Sequence, residues 1–343
     1  MKVLGIESTC DETAAAVVEN GQRVLSNVVS SQVALHAKYR GVVPEIASRA
    51  HIESILPVVG EALKGAHIEL NDIDAVAVAH RPGLIGSLLI GVTAAKTLAW
   101  SLGKPLIGVD HVHAHLFSVR LSDGQPSAAP EMPAVGLVCS GGHTALYEVK
   151  DFLNIELIGT TLDDAVGEAY DKVAAILGLG YPGGPEIDRL AQEGNPTAIR
   201  FPRTRLSRQS LDFSFSGIKT AVLYHVRGFQ GRQRETNVSP QELRDIAASF
   251  QAACIDVLVE KVKRAAKQIR AQSVIIGGGV SANTGLRSAM AKLGIPVFFP
   301  PMQYCTDNAA MTAGLAHLIL ESGKQSELDL DAITSSQFAD AAN

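Results

Sequence analysis

Two stretches decide the fold: residues 3–19, VLGIESTCDETAAAVVE, and residues 134–149, AVGLVCSGGHTALYEV. Each is a short apolar run, a turn of small and polar residues closing on a threonine (Thr13, Thr144), and a second apolar run. Such a pattern reads as strand, tight turn, strand. A third strand-like run follows each, at 23–29 and at 155–160, and helical patterns come after. A three-strand meander followed by helices, used twice, predicts a duplicated two-lobe α/β protein with a central cleft between the lobes. Two facing hairpin turns can then hold phosphates through backbone N–H groups.

Working outward, the first copy continues as helix 44–63, strand 74–79, helix 85–102, strand 106–110 and helix 111–119. Residues 123–133, DGQPSAAPEMP, hold three prolines, a glycine and no apolar periodicity, so they read as a linker. The lobes are then 1–122 and 134–321, with the last helix free to pack back on the first lobe. In the second lobe, Ser239-Pro240-Gln241-Glu242 opens a long helix with a capping box and a proline in its first turn. Strand 273–276, helix 283–293, strand 297–300 and helix 307–320 follow. The polar tail 322–343 is read as frayed.

Composition narrows the class. With 343 residues the chain exceeds what one hydrophobic core usually organises. Apolar residues make up 46% and charged residues 19%, which excludes disorder as the main state. The four cysteines form no CxxC pair, so neither a zinc ribbon nor a disulfide scaffold is expected. The start, MKVLGIESTCDE, has acids where a signal peptide has an apolar core, and no membrane span is expected. The net charge of −5 argues against a basic coat over the whole surface. Residues 200–234 stand apart. They carry eight basic residues and one acid, a net +7. Arg203, Arg205, Arg208 and Lys219 are the candidates there for phosphate-backbone contact.

Gly178-Leu-Gly-Tyr-Pro-Gly183 spells GxGxxG, but it follows a helical run, and Pro182 is read as blocking the next helix. A Rossmann site is rejected. Three other glycine turns suit a nucleotide: Ser140-Gly141-Gly142-His143, Pro182-Gly183-Gly184-Pro185, and Gly277-Gly278-Gly279 leading to Asn283. In Asp110-His-Val-His-Ala-His115, His111 and His115 stand at i and i+4 on one helix face and can grip one metal ion. No HExxH glutamate accompanies them, so a zincin-type base is missing. A third ligand must come from afar, and Asp307, in YCTDNAA, is the candidate; its alternative role is a plain helix cap. Ser87, Gly91 and Ala95 form a small-residue stripe, read either as core packing or as a partner face. Asp11, Glu12 and His143, in the two hairpin turns, are the candidates for proton transfer.

Taken together, ESTCDETAAAV, GVVPEIASRAH, DHVHAH, SGGHT, YPGGP, DFSFSGIKTAV, DIAASFQ, GGGVSAN and CTDNAAM resemble the TsaD family, called Kae-type in archaea and formerly labelled O-sialoglycoprotein endopeptidase. The likeness runs from about Lys2 to Leu320. It implies the actin/Hsp70/sugar-kinase fold and a cytoplasmic transferase. The group moved is threonylcarbamoyl, taken from threonylcarbamoyl-AMP. The acceptor is N6 of the adenosine just 3′ of the anticodon, in tRNAs reading codons that begin with adenine. One divalent metal per subunit, Fe2+ or Zn2+, is implied on His111, His115 and Asp307. Nucleotide contacts carry over to Val138, Cys139, Ser140, Gly141 and Gly142, then to Asp171, Gly184, Asp188 and Asn283. A TsaB-like paralogue, met by the Ser87–Ala95 helix, and a TsaE-like ATPase are the implied partners. The family's usual GPGL turn is His80-Arg81-Pro82-Gly83 here, and its YGG is Tyr39-Arg40-Gly41. The rival readings are an ATPase or small-molecule kinase on the same fold, and a metallopeptidase.

Overall fold

The computed structural model describes residues 1–39, 41–124, 128–204, 206–207, 209–228 and 238–335. The chain divides into two compact units, Met1–Ala129 with Pro300–Asn343, and Pro130–Phe299.

In the first unit, β1 (Lys2–Glu7), β2 (Glu12–Glu19) and β3 (Arg23–Ser31) form an antiparallel meander. β4 (Ala75–Arg81) joins β1 in parallel on its other side, and β5 (Leu106–Asp110) joins β4 in parallel, giving the order β3-β2-β1-β4-β5. Connections between parallel strands need a helix. After a short α1 (Val33–His36), they are supplied by α2 (Pro44–Gly65) and α3 (Ile85–Leu102), and α4 (His111–Phe117) follows β5. β1 and β2 are nearly continuous apolar runs rather than alternating ones, and residues 3–7 and 13–18 are buried. Strands covered on both faces read this way. Leu4 and Ile6 face a core built with Ile55, Val58, Leu88 and Val92 of α2 and α3.

The second unit repeats the plan. β6 (Ala134–Cys139), β7 (Thr144–Asp151) and β8 (Asn154–Thr160) are an antiparallel meander, and β9 (Ser273–Gly277) and β10 (Val297–Phe298) add in parallel beyond β6. Its order, β8-β7-β6-β9-β10, is the first sheet's order with each strand replaced by its counterpart. Between β8 and β10 lie α5 (Val166–Ile176), α6 (Gly183–Ala191), α7 (Ser216–Arg227), α8 (Pro240–Ile269) and α9 (Thr284–Met290). Half of the expected capping box of α8 is present: Ser239 Oγ accepts from Glu242 N, with Pro240 in the first turn, while the Glu242 carboxylate lies 3.6 Å from His225 Nε2.

The last helix, α10 (Ala309–Glu321), lies on β1 and β2 of the first unit. The contact is close at one point. A Cβ on Gly5 would stand 2.4 Å from Ala309 O and 2.9 Å from Ala313 Cβ, so only glycine lets this helix lie on this strand.

Several expectations are corrected. The helix after β5 stops at Phe117 and tightens into a 3-10 turn, Ser118–Arg120. Asn283 caps α9 rather than starting it, and β10 is two residues long. Pro182 does not block a helix; it is the N-cap residue of α6, as its fixed φ permits. Asp307 is not the cap of α10, since Asn308 accepts from Met311 N. Part of the linker is anchored, because Asp123 accepts from Gln303 Nε2 at 2.6 Å and from the Tyr304 hydroxyl. The tail is not frayed over 326–333. Ser326 pairs with Leu106, Lys96 Nζ donates to Leu330 O at 2.8 Å, and Ile333 N donates to His80 O at 2.9 Å. This segment covers the edge strand β5, whose backbone groups otherwise lack a partner on that side. Residues 125–127 and 336–343 lie outside the described residues. Finally, α3 is long and apolar enough to cross a membrane by length and composition; one of its faces packs in the core of the first unit.

Replacing Gly5 with alanine should force α10 off β1. Overpacking of this kind costs ~1–3 kcal/mol, to be read as a lower urea midpoint at unchanged slope.

Candidate functional site

His111 and His115 come from α4, which starts because Asp110 caps it: Asp110 Oδ1 accepts from Val112 N at 2.9 Å and from His113 N at 3.2 Å. The two rings lie 4.6 Å apart, nearly perpendicular. α10 brings Asp307, 192 residues away, to the same place, with Oδ1 at 3.0 Å from His115 Nε2 and 3.6 Å from His111 Nε2. Ligand atoms about 2.1 Å from a tetrahedral metal stand about 3.4 Å apart, and these separations bracket that value. The other nitrogen of His111, Nδ1, meets Glu7 Oε2 at 3.1 Å and Thr9 Oγ1 at 3.3 Å. A carboxylate on the far nitrogen orients an imidazole and raises its basicity as a ligand. Glu7 is itself held by Thr9 N at 2.9 Å and Thr312 Oγ1 at 3.3 Å. The buried His115 Nδ1 has no hydrogen-bond partner among the described residues. The geometry and the donor set fit one divalent metal.

The charges point the same way. Burial opposes a proton on His111, but Glu7 and Asp307 outweigh it and push the pKa up to about 9. Burial, then Asp307 and Asp11, push Glu12 up to about 9. A cation among these carboxylates relieves both, and metal uptake must displace the His111 proton. Asp11 and Glu12 are thus brought to the metal side. His143 lies in the other unit.

The turn carrying Asp11 and Glu12 is clamped by a residue that sequence reading did not single out. His51, fully buried on α2, meets Thr13 Oγ1 through Nδ1 at 2.7 Å and Cys10 O through Nε2 at 3.0 Å. A carbonyl only accepts, so Nε2 carries the proton and Nδ1 accepts from Thr13. Burial lowers the His51 pKa, which keeps the ring neutral.

In the second unit the counterpart turn closes more tightly, with Cys139 pairing with Thr144 where Glu7 pairs with Ala14 in the first. Ser140 N donates to His143 O at 2.8 Å, and Gly167 N donates to Ser140 O at 3.1 Å. A Cβ on Gly141, Gly142 or Gly184 would meet nothing within 4 Å, whereas one on Gly183 or Gly278 would collide with the chain. Internal packing therefore explains Gly183 and Gly278 but not the other three, and a ligand approaching the backbone would explain those. Val138 and Cys139 end β6 fully buried, with no exposed side-chain surface. Asp171 Oδ1 accepts from Gly183 N at 2.7 Å and so holds the start of α6. Asp188 accepts from Thr284 N and Thr284 Oγ1, both at 3.0 Å, which ties it to Asn283 at the start of α9.

Over residues 23–314 the sequence matches the family model of TsaD, tRNA N6-adenosine threonylcarbamoyltransferase. This chain belongs to the TsaD family. Relatives of that name include those of Moorella thermoacetica, 53% identical over 320 residues (92% of this chain, 91% of the relative), and Trichlorobacter lovleyi, 52% identical over 337 residues (97% and 95%). Among solved structures it resembles HypF of T. kodakarensis (TM-score 0.58, 15% identity, 94% of this chain and 48% of that one). It also resembles component A of (R)-2-hydroxyglutaryl-CoA dehydratase from Acidaminococcus fermentans (TM-score 0.54, 14% identity, 94% and 100%). These likenesses show the fold alone, which is of the actin/Hsp70/sugar-kinase type.

Two surface expectations for this TsaD chain change. The stripe Ser87, Gly91 and Ala95 is buried inside its own unit, and a Cβ on Gly91 would stand 2.3 Å from Ser8 Oγ. Small residues there let α3 lie close to the turn after β1. The exposed large apolar residues of these helices are Ile85, Leu89 and Trp100 on α3 and Ile52 and Leu56 on α2. In the basic segment, Arg203 is committed to Asp256 through Nε at 3.0 Å and Nη2 at 2.9 Å, and Lys219 to Asp164 at 2.6 Å. Arg205, Arg208, Arg232 and Arg234 lie outside the described residues. Sequence reading also passed over Glu7; its signal was a lone acid ending an apolar strand.

Glu7→Gln should weaken metal binding ~10–100-fold with His111, His115 and Asp307 intact, as measured by competition with a chromogenic chelator. Metal affinity in the unaltered chain should fall as pH drops below about 9, because the His111 proton then competes with the metal.

Proposed function

We propose that this transferase takes its threonylcarbamoyl group from threonylcarbamoyl-AMP and passes it to N6 of the adenosine 3′ to the anticodon, using one metal held by His111, His115 and Asp307. The gathering of those three side chains in a TsaD chain is the observation that carries the reading. Fe2+ is the first assignment and Zn2+ the second, since two imidazoles and a carboxylate suit either. When bound, the metal supplies Lewis-acid polarisation of a carbonyl or carboxylate oxygen.

The chain's own groups have definable tasks. Backbone N–H groups of Gly141 and Gly142, with the Ser140 hydroxyl, are assigned to the phosphate, whose charge grows as AMP departs; the Ser140 N–H is already given to His143 O. Asp188 and Asn283 are assigned to the nucleoside, with Asp171 and Gly184 framing the start of α6. The amine nitrogen attacks the carbamoyl carbon, the bond from that carbon to the phosphate oxygen breaks, and the amine loses a proton. Asp11 and Glu12 are the candidates to take that proton, with His143 as a third. The intermediate is held by position rather than by a covalent bond to the enzyme. The apolar face of Ile52, Leu56, Ile85 and Leu89 suits a TsaB-like paralogue, and a TsaE-like ATPase is the second partner. The basic segment 200–234 is assigned to tRNA phosphates through its remaining arginines, since Arg203 and Lys219 are already paired with Asp256 and Asp164. With tRNA as its substrate, the enzyme works in the cytoplasm.

Supplied with bicarbonate, threonine, ATP, a carbamoyl-adenylate synthase, the partners and tRNA, the chain should form the modified nucleoside. Gly142→Val should abolish this and weaken AMP binding at least ~100-fold while metal content stays whole. Because a Cβ at Gly142 meets open space, the fold tolerates the change. Unaltered AMP affinity would remove the phosphate from this turn.

A further inference from the structure

Gln251, on α8, is 7% exposed and lies between Asp188 and Asn283. Its Nε2 donates to Asp188 Oδ1 at 2.9 Å, and its Oε1 accepts from Asn283 Nδ2 at 2.7 Å and from the Tyr170 hydroxyl at 3.4 Å. The direction of every bond follows from one end. Leu286 N–H can only donate, so Asn283 turns Oδ1 toward it, at 2.8 Å. Asn283 Nδ2 then faces Gln251 Oε1, and Gln251 Nε2 faces a carboxylate, which only accepts when ionised. Neither amide can flip without setting like groups against each other.

The same network uses most of the acceptor capacity of Asp188. Oδ1 accepts from Gln251 and from the Thr284 hydroxyl, and Oδ2 accepts from Thr284 N. An ionised carboxylate has about four acceptor positions, so about one is left, on Oδ2. The site is tight: a Cβ on Gly285 would stand 2.8 Å from Gln251 Nε2.

We propose that Gln251 is a positioning residue for nucleotide recognition. It keeps Asp188 turned so that one Oδ2 lone pair accepts a ribose hydroxyl. It also locks Asn283 into the cap of α9. The inference rests on the reading that Asp188 and Asn283 contact the nucleotide. The titratable groups facing Gln251 are Asp188 on α6 and Tyr170 on α5, with Cys254 one turn along α8. Burial holds both the phenol and the thiol protonated, so neither competes with the effect described next.

The test is AMP affinity of the full chain by calorimetry for Gln251→Met, Gln251→Glu and Asp188→Ala. Metal content and the urea midpoint verify that each variant is folded. Gln251→Met removes a donor from a carboxylate and should weaken AMP at least ~10-fold. Gln251→Glu keeps the shape but opposes Asp188 with a second carboxylate. Its affinity should fall at neutral pH and recover as the pH is lowered, because a protonated glutamate donates as the amide did. The unaltered chain should show no such recovery. A loss in Gln251→Glu that does not change with pH would mean packing alone, and overturns the proposal. If Asp188→Ala weakens AMP while both Gln251 variants bind within twofold of the unaltered chain, the proposal fails and the nucleotide reading stands. If Asp188→Ala leaves AMP affinity unchanged, the nucleotide reading fails and takes the proposal with it.

Discussion

The first unit depends on the contact between α10 and β1 at Gly5. A helix from the end of the chain reaches a strand from its beginning, and the approach is closer than any side chain would allow. That contact places Asp307 beside His115 at 3.0 Å and Thr312 beside Glu7 at 3.3 Å. Helical spacing sets His111 beside His115, and packing brings the third candidate ligand and the Glu7 carboxylate to them. Residues 309–317 are all buried, so rotation of the helix would cost apolar burial along its length. A ligand set held this way is preorganised, and the metal need not order it on binding.

The duplicated plan gives two turns with different equipment. In the first unit the turn between β1 and β2, whose last pair is Glu7 with Ala14, is rich in acids and held at Cys10 and Thr13 by His51. In the second, the turn between β6 and β7 is short, and two of its residues are glycines that their own fold does not require. The first gathers negative charge toward a cation, and the second offers bare backbone N–H groups toward an anion. One topology thus carries a candidate metal site in one unit and a candidate nucleotide turn in the other.

Much of this was legible in the sequence, for physical reasons. Strands such as AVAVA and VLGIE announce themselves because both faces are covered and the apolar run is unbroken. The pair His111 and His115 is legible because helical periodicity puts i and i+4 on one face. Asp307 could be named only as a candidate from afar and through the family likeness, and its place beside the histidines, like Glu7, His51 and Gln251, needed the third dimension. A buried polar residue is defined by the partners that satisfy it, and those partners lie tens to hundreds of positions away. The stripe Ser87, Gly91 and Ala95 was ambiguous because small residues permit close approach without saying to what. The order of 326–333 was missed because its anchors are few and scattered: Leu330 and Ala332 pack against the first unit's core, the Ser326 hydroxyl accepts from Gly108 N and Lys96 Nζ donates to Leu330 O, too short a pattern to stand out in a polar tail.

The most direct test of the metal assignment is the X-ray absorption spectrum of the iron- or zinc-loaded full chain. Two imidazoles and a carboxylate should appear as a first shell of nitrogen and oxygen scatterers at about 2.0–2.2 Å, with outer-shell features of two rings. Asp307→Ala should remove an oxygen from that shell and leave both rings. A sulfur scatterer at about 2.3 Å, or a spectrum with no imidazole contribution, would contradict the account.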